Sequence, residues 1–298
     1  MNTKNSDKKP VVRRTSRQNH ELSDAEFYGL RDWLYSQTGI HLGDIKKSMV
    51  SGRLQKRLHA LKLPTYTAYL KLLKDQQQHT ERQLALNLLT TNETYFFRED
   101  KHFVFLKDYL MKTKARQNIQ IWSAASSSGE EAYSIAMLLA DVLGLQQSWQ
   151  IFGTDINSDV LNKAQKAIYP ITDTQKIPQP YLQRFCQKGI GKDLGWFRIQ
   201  PELRQRVSFE LVNLFKLPPG LPKFDVIFLR NVLIYFELED KKIIVQNILR
   251  QLKPGGILLV GHSESIHGYD DALVQLQASC YRYQPSHLLA DSIEAVSG

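Results

Sequence analysis

Four polar residues lie at the ends of apolar, strand-like segments of the chain: Glu130, Asp155, Asn213 and Asn231. In an open sheet of parallel strands the carboxyl ends meet at one edge, and ligands bind in the crevice outside that edge. Carboxylates gathered there attract a cationic or hydroxyl-rich ligand, and amides supply further hydrogen bonds. The four residues therefore predict a single pocket for a ligand of this kind.

The stretch 119–135, IQIWSAASSSGEEAYSI, combines a short apolar strand, a loop of small residues and a helix that begins at Glu130 and Glu131. Small residues let a ligand approach the backbone, and a helix N-terminus directs N–H groups towards it. The loop lacks the lysine and the glycine spacing of phosphate-binding and dinucleotide-binding loops. S-adenosylmethionine, with its sulfonium, ammonium and ribose, suits the two carboxylates. The alternative is an ordinary turn whose glutamates interact with the helix dipole.

Asp155 favours the ligand-binding alternative. It lies in the apolar segment WQIFGTDI, residues Trp149 to Ile156, about 25 residues after the small-residue loop. An acidic residue at the tip of the second strand of a Rossmann-like unit hydrogen-bonds ribose hydroxyls at a spacing of roughly 20 residues. The spacing therefore predicts that Asp155 binds the ribose of a cofactor.

The elements that must position these residues alternate between strand and helix patterns, which predicts an α/β fold with a parallel sheet. Residues from about 171 to 204 interrupt the alternation with prolines and glycines and predict a small inserted β-subdomain. The other elements predicted after Asp155 are strands at Val207–Val212, Phe224–Leu229, Gly256–Val260 and Leu273–Tyr283, and helices at Asn157–Ala167 and Glu239–Leu252.

Residues 21–88 carry helical periodicity throughout and predict a separate helical domain. Ser23 and Glu26 form a capping-box pattern at its start. A second helix, from about Lys46 to Leu58, is rich in lysine and arginine; it is either a solvated face or a docking surface for an acidic helix. The segment TTNETYFFREDKHF, residues 90–103, is predicted to join the two domains and to pack over the ligand site; the alternative is that its aromatic residues belong to the core and its arginine forms a surface ion pair.

The 298-residue chain has 42% hydrophobic residues and a net charge of +9, as expected of a soluble globular protein with an acidic partner. Residues 1–20 predict a disordered basic tail rather than a secretory signal. No membrane-spanning window is present, so we expect a cytoplasmic protein without membrane insertion. The two cysteines and the dispersed histidines predict neither a disulfide framework nor a metal site. No nucleic-acid-binding signature accompanies the positive charge, so we do not expect a nucleic-acid partner.

An ordered set of motifs resembles the CheR-type chemotaxis receptor methyltransferases from about residue 21 to residue 285. These motifs are TNETYFFRE, WSAASSSGEEAYSIAM, GTDIN, FRIQPELR, FDVIFLRNVLIYF and LKPGGILLVGHSES. LKPGG alone occurs in many methyltransferases, but the ordered set is far more specific. The resemblance implies a Rossmann-like class I methyltransferase domain at 89–290, after the helical domain at 21–88, with a tail at 291–298.

The resemblance also implies an activity, namely methyl transfer from S-adenosylmethionine to glutamate side chains of chemoreceptor cytoplasmic helices, with S-adenosylhomocysteine as the second product. It implies that the helix carrying Arg53, Lys56 and Arg57 faces the receptor. Some members hold a receptor C-terminal tether peptide at the β insertion, for which the loop GIGKDLG is the candidate here. Carried over by motif position, the implied cofactor contacts are Asn92, Thr94, Arg98, Glu130, Asp155, Asn213, Leu214, Asn231 and Val232. Ser128, where threonine is commoner, is a mild departure.

The implied chemistry matches what the sequence contains. A glutamate with a reference pKa of about 4.3 is already a carboxylate at neutral pH, so no general base is required. We expect Arg98 to orient the incoming carboxylate or that of the cofactor, and Tyr235 to line the methyl-transfer channel; for Tyr235 a core role is the alternative. Two other functions stay open: a non-catalytic module that binds S-adenosylmethionine, and a methyltransferase acting on RNA or a small molecule.

Overall fold

A computed structural model describes residues 21–113 and 118–285 of the chain. The tails predicted over 1–20 and 291–298 lie outside these described residues. The described helices are Asp24–Thr38 (α1), Lys47–Leu61 (α2), Tyr66–Lys74 (α3), His79–Leu89 (α4), Lys101–Lys112 (α5), Glu130–Val142 (α6), Ser158–Lys166 (α7), Gln179–Phe185 (α8), Pro201–Arg204 (α9) and Leu238–Leu249 (α10). No helix of the described residues has the length and apolarity to cross a lipid bilayer.

The N-terminal domain is helical, as predicted. The capping box at the start of α1 is confirmed, because the Ser23 side chain accepts the N–H of Glu26 while the Glu26 carboxylate accepts the N–H of Ser23 at 3.1 Å. Thr65 caps α3 through the N–H of Ala68, at 3.1 Å. The apolar faces of α1 to α4 share a core of their own. The N-terminal domain therefore has a hydrophobic core distinct from those of the sheet that follows.

The strands form a seven-stranded sheet and a separate three-stranded sheet. They are Ile119–Ala124 (β1), Trp149–Asp155 (β2), Ile168–Pro170 (β3), Cys186–Lys188 (β4), Trp196–Ile199 (β5), Val207–Leu211 (β6), Phe224–Leu229 (β7), Leu252–Val260 (β8), Leu273–Gln277 (β9) and Cys280–Tyr283 (β10). The large sheet has the order β6-β2-β1-β7-β8-β10-β9. Its first five strands run parallel, and β10 and β9 are antiparallel to their neighbours.

The predicted terminal strand over Leu273–Tyr283 is wrong, because the segment folds into the antiparallel hairpin β9–β10. The alternating pattern continues through the turn, but Ser279 adopts a left-handed φ of 61° and reverses the chain. Strand β8 begins at Leu252, earlier than the predicted Gly256, so the Pro-Gly-Gly stretch lies within it. The register between β7 and β8 shifts between Phe224 and Val226, which accommodates this irregular stretch.

The insertion between α7 and β6 contains the small antiparallel sheet β3-β5-β4 together with α8. It packs on the same core as α5, α6 and one face of the large sheet. Helix α10 and the opposite face form a second core. The sheet is thus buried on both faces, and this explains the continuous apolar runs of β7 and β8.

Candidate cofactor site

The carboxyl ends of the parallel strands open into a cavity of about 490 Å³. The N-terminal domain and the segment after α4 complete its walls, which include His41, Lys46 and Met49. Most residues predicted to act in the site line this one cavity; they are Asn92, Thr94, Arg98, Asp155, Asn213, Leu214, Asn231, Val232 and Tyr235. Parallel strand ends therefore gather residues that are more than a hundred positions apart in the chain.

Asp155 lies at the tip of β2 and is buried. Its two carboxylate oxygens accept the backbone N–H groups of Ser127 and Asn157, each at 2.9 Å. Burial raises the pKa of this carboxyl, and the backbone hydrogen bonds oppose the rise. The carboxylate is therefore fixed in orientation between the small-residue loop and the start of α7.

The small-residue loop between β1 and α6 has a strained backbone. Ala125 and Ser127 adopt left-handed φ angles of 66° and 49°, and Gly129 has a φ of 95°. A side chain at Gly129 would approach Ala164 and the Tyr169 hydroxyl to within about 3 Å. Non-glycine residues in this conformation persist only where surrounding contacts hold them, and such strain clusters at ligand sites. Here Ser127 provides a hold, because its hydroxyl donates to the Asn92 carbonyl at 2.9 Å.

Asn213 lies two residues after the carboxyl end of β6 and anchors the chain there. Its side-chain amide donates to the Gln37 carbonyl in α1 at 2.9 Å, and its oxygen accepts the N–H of Phe215 at 2.9 Å. The carbonyl of the adjacent Leu214 accepts from Asn247 in α10 at 3.0 Å. Asn213 therefore ties the large sheet to the N-terminal domain beside the cavity.

A buried carboxylate that sequence reasoning did not assign, Glu264, holds the chain after β7. It accepts the backbone N–H groups of Asn231, Leu233 and Gly261, each at 2.7 Å. Asn231 has a left-handed φ of 56°, so the turn at this strand end depends on an acceptor of this kind. Glu264 lies within the motif LKPGGILLVGHSES, but nothing in the local pattern indicates that it reaches back to β7.

Arg230 is a second residue that sequence reasoning missed. Its side chain is only 1% exposed, and its guanidinium donates to Glu131 at 2.8 Å and to Glu99 at 3.1 Å. The guanidinium also donates to the Arg98 carbonyl. The Glu99 carboxylate in turn accepts from the Asn231 side chain at 3.0 Å. This buried network connects the tip of β7 to the segment that precedes α5.

Glu130 is not among the residues that line the cavity, although the sequence predicts that it shares a pocket with Asp155 and Asn231. Successive residues of a helix point about 100° apart, so only one of the two glutamates at the start of α6 turns towards the strand ends. Glu131 lines the cavity, whereas the buried Glu130 accepts from the Ser128 hydroxyl at 2.9 Å and lines a second cavity beside the insertion. Burial raises the pKa of Glu130.

Arg98 and Tyr235 are far apart in the sequence but line the same cavity. Arg98 donates to the Glu93 carbonyl at 2.9 Å, and its guanidinium carbon lies 5.7 Å from the centre of the Tyr95 ring. Tyr235 is half-buried, burial raises its pKa, and its carbonyl accepts the N–H of His41 at 3.0 Å. Both side chains are therefore close to any ligand in the cavity.

The sequence matches two family models over most of its length. Residues 25–90 match the CheR methyltransferase all-alpha domain, and residues 92–282 match the CheR methyltransferase SAM binding domain. The chain belongs to the CheR methyltransferase family. It is therefore an S-adenosylmethionine-dependent methyltransferase with the mostly parallel sheet and helical N-terminal domain expected from the sequence.

Relatives within the CheR family align along most of their length. The chemotaxis protein methyltransferase of Salmonella typhimurium is 41% identical over 246 residues, which cover 82% of this chain and 85% of the relative. That of Escherichia coli is 42% identical with the same coverage of both chains. Chemotaxis protein methyltransferase 2 of Pseudomonas aeruginosa is 38% identical over 243 residues, which cover 80% of this chain and 86% of the relative.

The three basic residues predicted to face a receptor in this CheR chain differ in their surroundings. Lys56 is exposed on α2. Arg53 donates to the carbonyls of Leu88 and Thr90, at 3.0 and 2.8 Å. Arg57 donates through Nε to both carboxylate oxygens of Glu81, at 2.7 and 2.9 Å. The two arginines thus have structural partners inside the N-terminal domain, and the sequence pattern alone did not reveal these partners.

A second cavity, of about 840 Å³, lies between the insertion and α7. Besides Glu130, its lining includes Lys163, Lys188 and Arg198. The loop GIGKDLG and the residue after it expose three large apolar side chains, those of Ile190, Leu194 and Trp196. This face of the insertion therefore combines exposed apolar groups with a cavity that carries charges of both signs.

Proposed function

We propose that this chain transfers a methyl group from S-adenosylmethionine to glutamate side chains in the cytoplasmic domains of chemoreceptors and forms glutamate methyl esters. The observation that carries the proposal is the cavity at the carboxyl ends of the parallel strands, lined by carboxylates and amides. The printed names of the Salmonella and Escherichia relatives, both chemotaxis protein methyltransferases, support a substrate from chemotaxis.

The donor set of the cavity fits this cofactor. A volume of about 490 Å³ lies within the range of small-molecule sites, roughly 300–1,000 Å³. The fixed carboxylate of Asp155 suits the hydroxyls of a ribose, which are hydrogen-bond donors. We assign Asn213 and Asn231 to the polar edges of the cofactor, and Leu214 and Val232 to its apolar faces.

We assign Asn92, Thr94 and Arg98 to the charged end of the cofactor and to the incoming glutamate. Among the described residues, the Arg98 side chain donates one hydrogen bond, to the backbone carbonyl of Glu93. A guanidinium has five N–H donors in a planar fork, so Arg98 retains donors for a carboxylate. In this proposal Arg98 aligns the carboxylate and removes no proton from it.

The proposed reaction makes modest demands on the side chains. When bound, S-adenosylmethionine supplies a methyl group on a positively charged sulfur. The substrate glutamate, with a reference pKa of about 4.3, arrives as a carboxylate, so no residue of the chain has to act as a base. Positioning of the reacting groups is worth roughly 7–11 kcal/mol in well-oriented cases. Tyr235 and its apolar neighbours would add to this by excluding the water that stabilises the separated charges.

The basic surface of α2 is our candidate for the docking of an acidic receptor helix. The chain carries a net charge of +9, and Lys46, at the start of α2, also lines the cavity. Exposed Lys56 lies on the same helix. We assign Lys56 a direct contact with the receptor, and we include Arg53 and Arg57 in the surface although both also bind within the domain.

The experiment that tests the activity is transfer of labelled methyl from S-adenosylmethionine to a purified receptor cytoplasmic domain, followed by base treatment. The label should be released by base, as expected of a methyl ester, and RNA should receive none. A non-catalytic module would bind the cofactor in calorimetry but transfer nothing. Arg98→Ala should keep the fold and sharply lower turnover, with the exposed Arg250→Ala as the control. Unchanged turnover in Arg98→Ala would contradict the role of Arg98.

We also propose that the insertion binds a C-terminal tether peptide of the receptor. The exposed Ile190, Leu194 and Trp196 support this, since a short peptide would cover apolar surface of that size. Trp196→Ala should raise the KM for a full-length receptor and leave the KM for a receptor lacking its C-terminal peptide unchanged. An equal change for both substrates would argue against a tether site.

A further inference from the structure

Three side chains with metal-binding atoms come together beside the cofactor cavity. Glu99 precedes α5, His102 lies in its first turn, and His262 follows β8. One ligand atom from each of the three lies within 4.8 Å of the others. The two imidazole rings are 4.8 Å apart, centre to centre. The separation of His262 from the other two along the chain explains why the sequence shows no metal motif.

His102 gives an independent indication that a ligand belongs in this cluster. Its side chain is only 1% exposed, and neither ring nitrogen hydrogen-bonds any described residue. Nδ1 lies 3.4 Å from Oε2 of Glu99, but the geometry is not that of a hydrogen bond. Buried polar groups in proteins are nearly always paired, so an unpaired imidazole beside a carboxylate and a second imidazole calls for a partner.

The charges around the cluster allow a divalent cation. Arg230 lies 3.1 Å from the Glu99 carboxylate and would oppose a metal ion if it acted alone. Its charge is balanced by Glu131, at 2.8 Å on its other side. The two carboxylates and one guanidinium together carry a net formal charge of −1. A divalent ion would therefore enter a site with net negative charge.

We propose that Glu99, His102 and His262 bind a divalent transition-metal ion of the zinc type. Zinc binds imidazole nitrogen and carboxylate oxygen at about 2.0–2.2 Å, and tetrahedral ligands of one ion are therefore about 3.4 Å apart. Nδ1 of His102 already lies 3.4 Å from Oε2 of Glu99, and His262, whose ligand atom lies within 4.8 Å of both, is exposed and has room to turn towards them. Three protein ligands leave the fourth position for water. Magnesium and calcium prefer oxygen ligands, so they do not fit the two imidazoles.

Metal binding should be coupled to cofactor binding, an expectation that rests on the proposed function. The Glu99 carboxylate accepts from Arg230 and from the Asn231 side chain, and both residues line the cofactor cavity. A metal ion competes with them for the same oxygens, so it loosens a wall of the cavity. By linkage, the cofactor should weaken metal binding by the same factor as the metal weakens cofactor binding.

The test is zinc binding to the full-length, metal-free protein without a polyhistidine tag, measured by competition with a coloured chelator. We expect one zinc ion per chain, binding at least ten-fold weaker in His262→Ala, and unchanged binding in His267→Ala, an exposed control five positions further along the chain. Cobalt should give the visible absorption of a tetrahedral site, which is lost in His262→Ala. Absence of zinc binding, or equal binding in His262→Ala and the wild type, would overturn the site.

The coupling is measured separately, by calorimetry with S-adenosylhomocysteine in the presence and absence of zinc. Failure of the metal-free protein to bind S-adenosylhomocysteine would refute the proposed function and leave the zinc measurement standing. Normal binding of both ligands without mutual weakening would refute the coupling. A zinc-dependent loss of S-adenosylhomocysteine affinity that disappears in His262→Ala supports it.

Discussion

Replacing Arg57 with alanine separates two roles for the basic helix α2. If Arg57 serves only as a receptor contact, its removal should weaken docking and leave stability unchanged. In the structure its guanidinium instead binds Glu81, whose side chain is 8% exposed and also accepts the Tyr69 hydroxyl at 2.7 Å. Without Arg57, the Glu81 carboxylate would stay buried with the Tyr69 hydroxyl as its remaining partner. We therefore expect Arg57→Ala to act first on folding.

The expected loss of stability follows from burial. Breaking a buried ion pair by removing one partner costs about 3–5 kcal/mol. Arg57 is 28% exposed, so water screens part of the interaction, and we expect a loss of about 2–3 kcal/mol. For a protein of this size, that corresponds to a fall of roughly 3–5 °C in the unfolding midpoint. Urea and thermal unfolding followed by circular dichroism measure both quantities.

The controls are a double-mutant cycle and a neighbouring lysine. In Arg57→Ala combined with Glu81→Gln no buried carboxylate is left unpaired, so the loss should fall short of the sum of the single losses by about 1–2 kcal/mol. Lys56→Ala should keep the wild-type midpoint and raise only the KM for receptor. A wild-type midpoint in Arg57→Ala, accompanied by a raised KM, would refute this reasoning and make Arg57 a docking residue.

The other predictions concern the cofactor site and the N-terminal domain. Asp155→Ala should weaken S-adenosylmethionine binding by about 100-fold, or nearly 3 kcal/mol, in calorimetry, because charge-assisted hydrogen bonds to the ribose are lost; a change below three-fold would contradict the ribose assignment. Glu131→Gln should weaken cofactor binding more than Glu130→Gln, since only Glu131 lines the first cavity; the reverse order would restore the role predicted for Glu130 from the sequence. The pKa of Glu26 is lowered to about 2, because hydrogen bonds from Ser23 and Thr67 outweigh the effect of burial. A lowered folded-state pKa stabilises the protein above the unfolded value near 4.5, and the stabilisation, about 1–2 kcal/mol once solvent screening is included, is lost as the pH falls from about 5 to 2. Glu26→Gln should remove that part of the acid sensitivity in urea unfolding measured across this pH range.

The parts of the fold that the sequence predicts are those determined by local patterns. The capping box at Ser23, the runs of β2 and β7, and the position of Asp155 at the tip of β2 each depend on residues that are close together in the chain. The hairpin β9–β10 was not predicted, because the alternating pattern continues across the turn. The chain reverses at Ser279, whose left-handed φ the sequence does not indicate. Periodicity indicates a strand but does not indicate where that strand reverses.

The parts of the site that escaped prediction are long-range contacts and helix phase. Which of Glu130 and Glu131 faces the cavity depends on the rotation of α6 about its axis, and this rotation is set by packing on the sheet. Arg230 finds Glu99 131 positions earlier in the chain, and Glu264 reaches back 33 positions to Asn231. No local pattern contains such pairings, although all of these residues fall within the motifs that carry the family resemblance.

The shape of the cavity depends on carboxylates that are already committed to the protein. Asp155 and Glu264 between them accept five backbone N–H groups around the loops at four strand ends, and these loops contain the strained residues Ser127 and Asn231. Buried carboxylates with such partners keep loops in backbone conformations that the loops would not adopt alone. Because the partners in these hydrogen bonds all belong to the chain, holding the loops does not require a ligand, and more of the binding free energy remains for aligning the reacting groups.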